Sequence, residues 1–317
     1  MNIFVTGGTG FIGSHLVAEF LRSGHTVTCY ARDPYKIPGF QGLARLHWVK
    51  GILQDIRNMK LGLKGQDVCV YMAMDWNSTA QGMLENDTKP AVILAETAAR
   101  LGMKRFMYIS STAAIGEYRP QMNEETCCRP LDFYGASKCA VEAFLSALSE
   151  VYELPCTIIR PSYVFGEPAV EGAPMEPDGR FRMIVEGLKK GNDLEFIRND
   201  GTQFIWVGDL VKLCMKALND QALTRLYLAV GSEYITWEEI CLKAREILGS
   251  KSTIRTRDLG WTKDGCNYDP ARINYEYGMV FWARKRICDH INYISNQLEM
   301  SCDKRVEIYV GKKSYKI

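Results

Sequence analysis

The sequence predicts an α/β fold: a doubly wound parallel sheet with a smaller C-terminal lobe. Three observations predict it. Short apolar runs recur through the first 230 residues, amphipathic helical patterns separate them, and a glycine-rich turn joins the first run to the first helix. Strands that are apolar throughout are buried on both faces, and the helices between them supply the crossovers that parallel pairing requires.

The elements follow in order. Residues 2–6 (NIFVT) form a buried strand that ends in Gly7-Gly8-Thr9-Gly10, a tight turn. From Phe11 to Ser23, Ile12, Leu16, Val17, Phe20 and Leu21 recur at helical spacing, and Gly24 ends the helix. A second strand spans 26–30. Residues 68–73 (VCVYMA) and 105–109 (RFMYI) are further buried strands, separated by a helix at about 91–101. Residues 134–152 are helical, and 156–160 (CTIIR) form another strand. Regularity fades after Gly166: residues 167–202 are rich in Pro, Gly and charge and read as an insertion. Residues 225–230 (RLYLAV) return to the sheet. Residues 281–298 read as an amphipathic helix. The tail 306–317 alternates apolar and polar residues around Gly311-Lys312-Lys313, which predicts a hairpin that covers an edge or contacts a second subunit of a homodimer.

Composition bounds the function classes. At 317 residues the chain is long for one core and fits roughly one and a half to two domains. A net charge of +2 with 24% charged residues offers no basic face for nucleic acid. There is no run of about 18 apolar residues to span a bilayer, and Met1–Thr6 lacks the basic start of a signal peptide. The expectation is a cytoplasmic protein without a membrane partner. The eleven cysteines are scattered without a CxxC pair, and His15 and His25 lack ligand partners, so no metal is expected. Cys127–Cys128 reads as two unpaired thiols.

Gly7, Gly10 and Gly13 stand as GxxGxxG between a strand and an amphipathic helix. The first permits the turn, the second lets backbone approach a pyrophosphate, and the third lets helix and strand pack closely. The helix N-terminus then faces the phosphates with free N–H groups. Residues 1–165 therefore read as a dinucleotide-binding Rossmann domain, its sheet completed by about 203–232. Residues 166–202 and 233–317 read as a substrate-binding lobe over the carboxyl ends of the strands.

Tyr134-Gly135-Ala136-Ser137-Lys138 sets Tyr and Lys on one helix face. An ammonium beside a phenol favours the phenolate and lowers the tyrosine pKa toward a useful range. Ser110-Ser111-Thr112 follows the strand RFMYI, where a hydroxyl can bond a substrate oxygen.

With TGGTGFIG, the strand-end SST, YGASK, RPSYVFG and Val207-Gly208-Asp209, the chain from residue 2 to about 230 resembles the extended short-chain dehydrogenase/reductases, which include nucleotide-sugar epimerases and dihydroflavonol-type reductases. The resemblance implies that Tyr134 is the general acid/base, that Lys138 holds the nicotinamide ribose and tunes Tyr134, and that Ser111 binds the substrate oxygen. Thr112 is the alternative, because the segment to Gly116 is a residue shorter than in many sugar epimerases. It also implies a cofactor cradle of Gly7, Thr9, Gly10, Phe11, Ile12, Gly13, Arg32, Leu53, Ala73, Tyr134, Lys138 and Pro161.

Several positions depart from the pattern. Arg32 stands near where NAD-preferring members carry an acid, and a guanidinium with Lys36 nearby suits a 2′-phosphate, whereas Asp33 suits ribose hydroxyls. NADP is the expected cofactor and NAD the alternative. Ile52 replaces the usual adenine-contacting Asp. Ala113-Ala114 replaces the Asp-Glu pair of the dehydratase branch. Tyr163 stands where sugar-nucleotide enzymes often have Asn, and Gly201–Asp209 lacks their diphosphate-binding Arg, leaving Arg180, Arg182 and Arg198 as substitutes. The resulting expectation is an NAD(P)-dependent oxidoreductase acting on a carbonyl or hydroxyl carbon of a small substrate. The alternatives are a nucleotide-sugar epimerase with tightly bound NAD and, lower, a non-catalytic NADP-sensing protein. Trp206 and Trp237 read as packing.

Overall fold

The protein is described by a computed structural model covering residues 1–76, 78–116, 118–220, 222–263 and 267–313, with side chains to Glu299. The first half alternates strand and helix: β1 (Asn2–Thr6), α1 (Phe11–Arg22), β2 (Thr26–Ala31), β3 (Leu46–Lys50), α2 (Ile56–Gly62), β4 (Val68–Tyr71), α3 (Ala80–Met83), α4 (Lys89–Arg100), β5 (Arg105–Ile109), α5 (Phe133–Tyr152) and β6 (Cys156–Pro161). There follow β7 (Val164–Phe165), α6 (Arg180–Lys189), β8 (Leu194–Ile197), β9 (Gly201–Thr202), β10 (Ile205–Trp206), α7 (Val207–Ala217) and β11 (Thr224–Ala229). The chain closes with β12 (Ile235–Thr236), α8 (Trp237–Leu248), β13 (Ile254–Arg257), α9 (Ala271–Tyr277) and α10 (Ala283–Lys313).

Seven strands form one sheet in the order β11-β6-β5-β4-β1-β2-β3, every neighbouring pair parallel. This is the expected doubly wound sheet. The chain winds outward from β1 to β3, then crosses back to β4, so the order reverses between β1 and β4. In open α/β sheets such a reversal is where a ligand crevice forms, outside the carboxyl ends of the strands.

Burial explains the two faces. Val5, Leu16, Val17, Leu210 and Tyr227 fill the side under α1 and α7, whereas Phe4, Met59, Leu94, Phe106 and Leu145 fill the side under α2, α4 and α5. A third cluster lies outside the sheet, where Phe165, Phe181, Phe204 and Trp237 pack with Ile287 and Ile291 of α10. Trp237 is 2% exposed, so it packs as read from the sequence.

Three local readings are corrected. β3 is a strand the pattern did not reveal, because it lies at the sheet edge and only Leu46 in it is buried. The stretch 167–202 carries α6 and β8, whose apolar residues face the third cluster rather than the sheet. The tail forms no hairpin: helix α10 runs unbroken to Lys313, residues 314–317 lying outside the described residues. Extending an existing helix adds a hydrogen bond per residue fixed, whereas a lone two-stranded hairpin is marginal. Among the described residues no helix is long and apolar enough to cross a membrane.

Candidate active site

The glycine turn sits at the switch point. Gly7 has φ +77°, and a Cβ there would stand 2.9 Å from the Ala73 backbone nitrogen. Gly10 N–H donates to the Gly7 carbonyl at 2.9 Å, closing the turn. A Cβ on Gly13 would lie 2.1 Å from the Gly7 oxygen, so the helix meets the turn only through a glycine. Thr6 Oγ1 accepts from the Met72 and Ala73 N–H groups at 3.2 and 3.3 Å, fastening the ends of β1 and β4 together. No side chain caps the N-terminus of α1, and its first turn has no acid. These groups fit a dinucleotide pyrophosphate: a bare helix N-terminus attracts an anion, and the turn brings backbone to it without side chains in the way.

On the rim, Arg32 is 72% exposed and its Nη1 stands 3.8 Å from Asp75 Oδ1. Asp75 Oδ2 also accepts from Gln54 Nε2 at 3.4 Å. Asp33 is turned into its own loop, where Oδ1 accepts from the Tyr35 N–H at 3.0 Å. Ile52 is half exposed and its carbonyl accepts from the Tyr30 hydroxyl at 2.8 Å, while Leu53 is buried beside it.

The catalytic candidates converge on the far side of the crevice. Asp132 caps α5 by accepting from the Gly135 N–H at 2.6 Å, which fixes the turn that carries Tyr134. Ser111 lies two residues past the end of β5 and accepts from the Ala113 N–H at 3.1 Å, capping a short 3-10 turn. Its hydroxyl bears on the Tyr134 phenol, favouring the ionised form against burial. Thus Ser111, rather than Thr112, is the hydroxyl beside the phenol. Lys138, one helical turn on, is buried, donates to the Ile109 carbonyl at 2.8 Å, and lies 5.7 Å from the Tyr134 ring centre.

The electrostatics differ from the sequence expectation. Burial pushes the Tyr134 phenol above its ordinary pKa, and the Ser111 hydroxyl opposes this only in part. Lys138 does not draw it down. Burial pushes Lys138 itself down to about 8, with Asp87 and Glu142 acting in the opposite direction. The Lys138 Nζ is committed to the Ile109 carbonyl rather than to the phenol.

Three features carried no signal in a single sequence. Asp87 lies on one turn of π-helix, Leu84–Thr88, and is buried. Its Oδ1 accepts from the Asp75 N–H at 2.5 Å, and Oδ2 has no partner. Trp76, at φ +56°, lies parallel to the Tyr134 ring with centres 5.1 Å apart. Glu142 pairs with Arg160 at 2.6 Å inside the protein and accepts from the Ser110 hydroxyl, tying α5 to β5 and β6 behind Lys138. Periodicity marks Asp87 and Glu142 only as helical residues; their neighbours come from distant segments.

Thr9, Phe11 and Ile12 lie in and just after the turn, and Ala73 and Pro161 follow or end β4 and β6 at the same edge. The three substitute arginines are each engaged. Arg180 meets Asp178 at 2.7 Å and covers the Trp237 ring at 4.3 Å. Arg182 pairs with Glu186 at 2.7 Å and Arg198 with Asp258 at 3.1 Å.

Residues 3–227 match the NAD-dependent epimerase/dehydratase family. The chain belongs to this family. Like other members of the NAD-dependent epimerase/dehydratase family, it is an enzyme of the extended short-chain dehydrogenase/reductase type. An uncharacterised protein of Sinorhizobium fredii is 26% identical over 274 residues, 83% of this chain but only 64% of that protein's length. A UDP-glucose 4-epimerase of Vibrio cholerae is 28% identical over 254 residues, 75% of this chain and 73% of that protein. Among solved structures, a UDP-glucuronic acid 4-epimerase from Bacillus cereus in complex with NAD superposes with a TM-score of 0.78 at 20% identity, covering 94% of this chain and 99% of that one. That likeness establishes the fold of the family member described here.

Proposed function

We propose that this enzyme moves a hydride between a nicotinamide dinucleotide and a carbonyl or hydroxyl carbon of a small substrate, as a net reductase or dehydrogenase. The observation that carries the reading is the convergence of Ser111, Tyr134 and Lys138 at the carboxyl edge of the sheet, with Lys138 Nζ 5.7 Å from the Tyr134 ring centre on the same helix face. When bound, the dinucleotide supplies or accepts the hydride. Reduction of a carbonyl leaves negative charge on its oxygen; Ser111 holds that oxygen and the Tyr134 hydroxyl gives it a proton. Oxidation runs the same transfer backward. Gly7, Thr9, Gly10, Phe11, Ile12 and Gly13 cradle the pyrophosphate, with Leu53, Ala73 and Pro161 lining the rest of the cofactor site. Residues 166–202 and 233–317 form the lobe that closes over the substrate. Arg32 selects for NADP: it is exposed at the rim, and Asp33, the acid that would favour ribose hydroxyls, is held away in its own turn.

The second reading is a nucleotide-sugar epimerase with tightly bound NAD, favoured by the UDP-sugar 4-epimerases among its relatives. The first is favoured by the segment Gly201–Asp209, which lacks the arginine that grips the diphosphate in many sugar-nucleotide enzymes. The two readings separate by cofactor exchange. Purified protein is denatured and its supernatant assayed for dinucleotide. A reductase releases little and takes up added cofactor reversibly; stoichiometric retention with no net oxidation of added NAD(P)H contradicts the first reading.

A further inference from the structure

We propose that Trp76 is a specificity-determining residue of this site: its indole is the wall against which a flat apolar group, an aryl ring beside the reacting carbonyl, lies while Ser111 and Tyr134 serve the carbonyl oxygen; this rests on the functional reading above and names its substrate class. Trp76 lies in the chain after β4, nearly parallel to the Tyr134 ring: the two planes differ by 14° and the ring centres are 5.1 Å apart. That is the spacing of offset-stacked rings. One indole face covers the phenol ring, yet Trp76 remains 65% exposed. The rest of the indole is therefore open to solvent beside the Tyr134 side chain. Single exposed apolar residues are ordinary on a surface; this one is set apart by where it stands and by what holds it there.

The placement is built into the fold. Trp76 has φ +56°, a region that a bulky side chain enters only at a cost and that persists where the surroundings enforce it. The residue before it is pinned, because the Asp75 N–H donates at 2.5 Å to Asp87 Oδ1, on a carboxylate 4% exposed. The adjoining Thr88 hydroxyl bonds the Ser137 hydroxyl of α5 at 2.8 Å. The same helix carries Tyr134, in a turn that Asp132 caps through the Gly135 N–H at 2.6 Å. Indole and phenol are thus both referred to one anchor, the turn of π-helix Leu84–Thr88, a form that recurs at functional sites. The chemistry of the wall follows from its atoms. An indole carries no charge, and its single donor lies at the ring edge. Through its face it recognises flat apolar surface and cannot answer a phosphate. A ketone bearing an aryl group lays that ring on the indole, whereas a puckered saturated ring of the same size meets it over less area.

The test uses two methyl ketones of matched ring size, acetophenone and cyclohexyl methyl ketone, with UDP-glucose as the contrasting probe. Their dissociation constants are measured for wild type, Trp76→Ala and Trp76→Phe in the presence of oxidised NADP or NAD, where no hydride can pass to a ketone, and thermal melts verify folding. Reduction of both ketones with NADPH and NADH is then followed. Wild type should bind acetophenone about three- to tenfold more tightly than the saturated ketone, the worth of one aromatic pair. Trp76→Ala should bring that ratio to about one, and Trp76→Phe, which keeps a flat face, should retain most of it. A purely structural role would weaken both ketones alike and leave the ratio unchanged. That result, a wild type that binds the two ketones equally, or one that binds neither overturns the proposal. So does a Trp76→Ala variant that loses UDP-glucose and not acetophenone, which makes the indole a sugar platform. The functional reading fails separately: if the ratio and its loss are seen but neither ketone is reduced, the indole wall stands and the net reductase does not.

Discussion

At the scale of single residues, the proposed role of Arg32 in cofactor choice is directly testable. It follows β2, where this fold brings the chain beside the adenosine ribose. Its partner Asp75 is 3.8 Å away and both are solvent-accessible, so the pair is weak and easily exchanged for a phosphate. A guanidinium holds a 2′-phosphate by charge-assisted bonds worth about 1.5–3 kcal/mol each. Arg32→Ala should accordingly weaken NADP roughly tenfold or more and leave NAD nearly unchanged. Titration of wild type and variant with both cofactors measures this; equal weakening of both, or a wild type that prefers NAD, removes Arg32 from cofactor choice. Residue roles were the part least legible in the sequence. YxxxK and the strand-end serines marked Tyr134, Lys138 and Ser111, but the raised phenol of Tyr134 depends on burial by segments far away in the chain. Asp87 was invisible for the same reason.

At the scale of elements, the glycine turn and α1 make separable demands. A Cβ on Gly13 would sit 2.1 Å from a backbone oxygen, which cannot yield, whereas one on Gly10 would stand 3.2 Å from the Gly7 oxygen and meet nothing else within 4 Å. Gly13→Ala should therefore destabilise the fold by about 1–3 kcal/mol, the usual cost of overpacking, and abolish cofactor binding. Gly10→Ala should leave the melting temperature within a few degrees of wild type while still weakening the cofactor, because its cost falls on the ligand. Thermal melts paired with cofactor titrations check both; a Gly10→Ala protein that binds normally would show that the pyrophosphate does not approach this backbone. The buried strands and the helices between them were legible because the apolar pattern sets them. β3 was not, since an edge strand with one buried residue has no such pattern, and α6 and β8 were hidden among Pro, Gly and charge.

At the scale of the whole molecule, a buried histidine joins α10 to the segment after β7. His290 is fully buried, with Nε2 3.1 Å from Glu176 and Nδ1 3.6 Å from Glu167. Glu167 is held down to about 2, where burial is outweighed by His290 and the Trp206 N–H. Burial lowers the His290 pKa, but the two carboxylates outweigh it and the net direction is upward. A folded-state pKa above the unfolded value gives stability that is fully present below about 6.5 and lost as pH rises through the raised value. The wild-type melting temperature should fall over that window, and His290→Gln should flatten the fall. Melts of both proteins from pH 6 to 9 measure it; identical slopes would show that the cluster holds no proton. None of this was legible beforehand, because the partners lie 114 and 123 positions from His290 in the chain.

The central claim is that Tyr134 transfers the proton in a nicotinamide-dependent hydride transfer. Tyr134→Phe removes one hydroxyl and leaves the ring and the glycine turn in place, so cofactor affinity should stay near wild type. Turnover, followed by NAD(P)H absorbance with a substrate that the wild type accepts, should fall by about two to four orders of magnitude, the usual worth of general acid–base catalysis. A Tyr134→Phe enzyme that turns over near the wild-type rate contradicts the account.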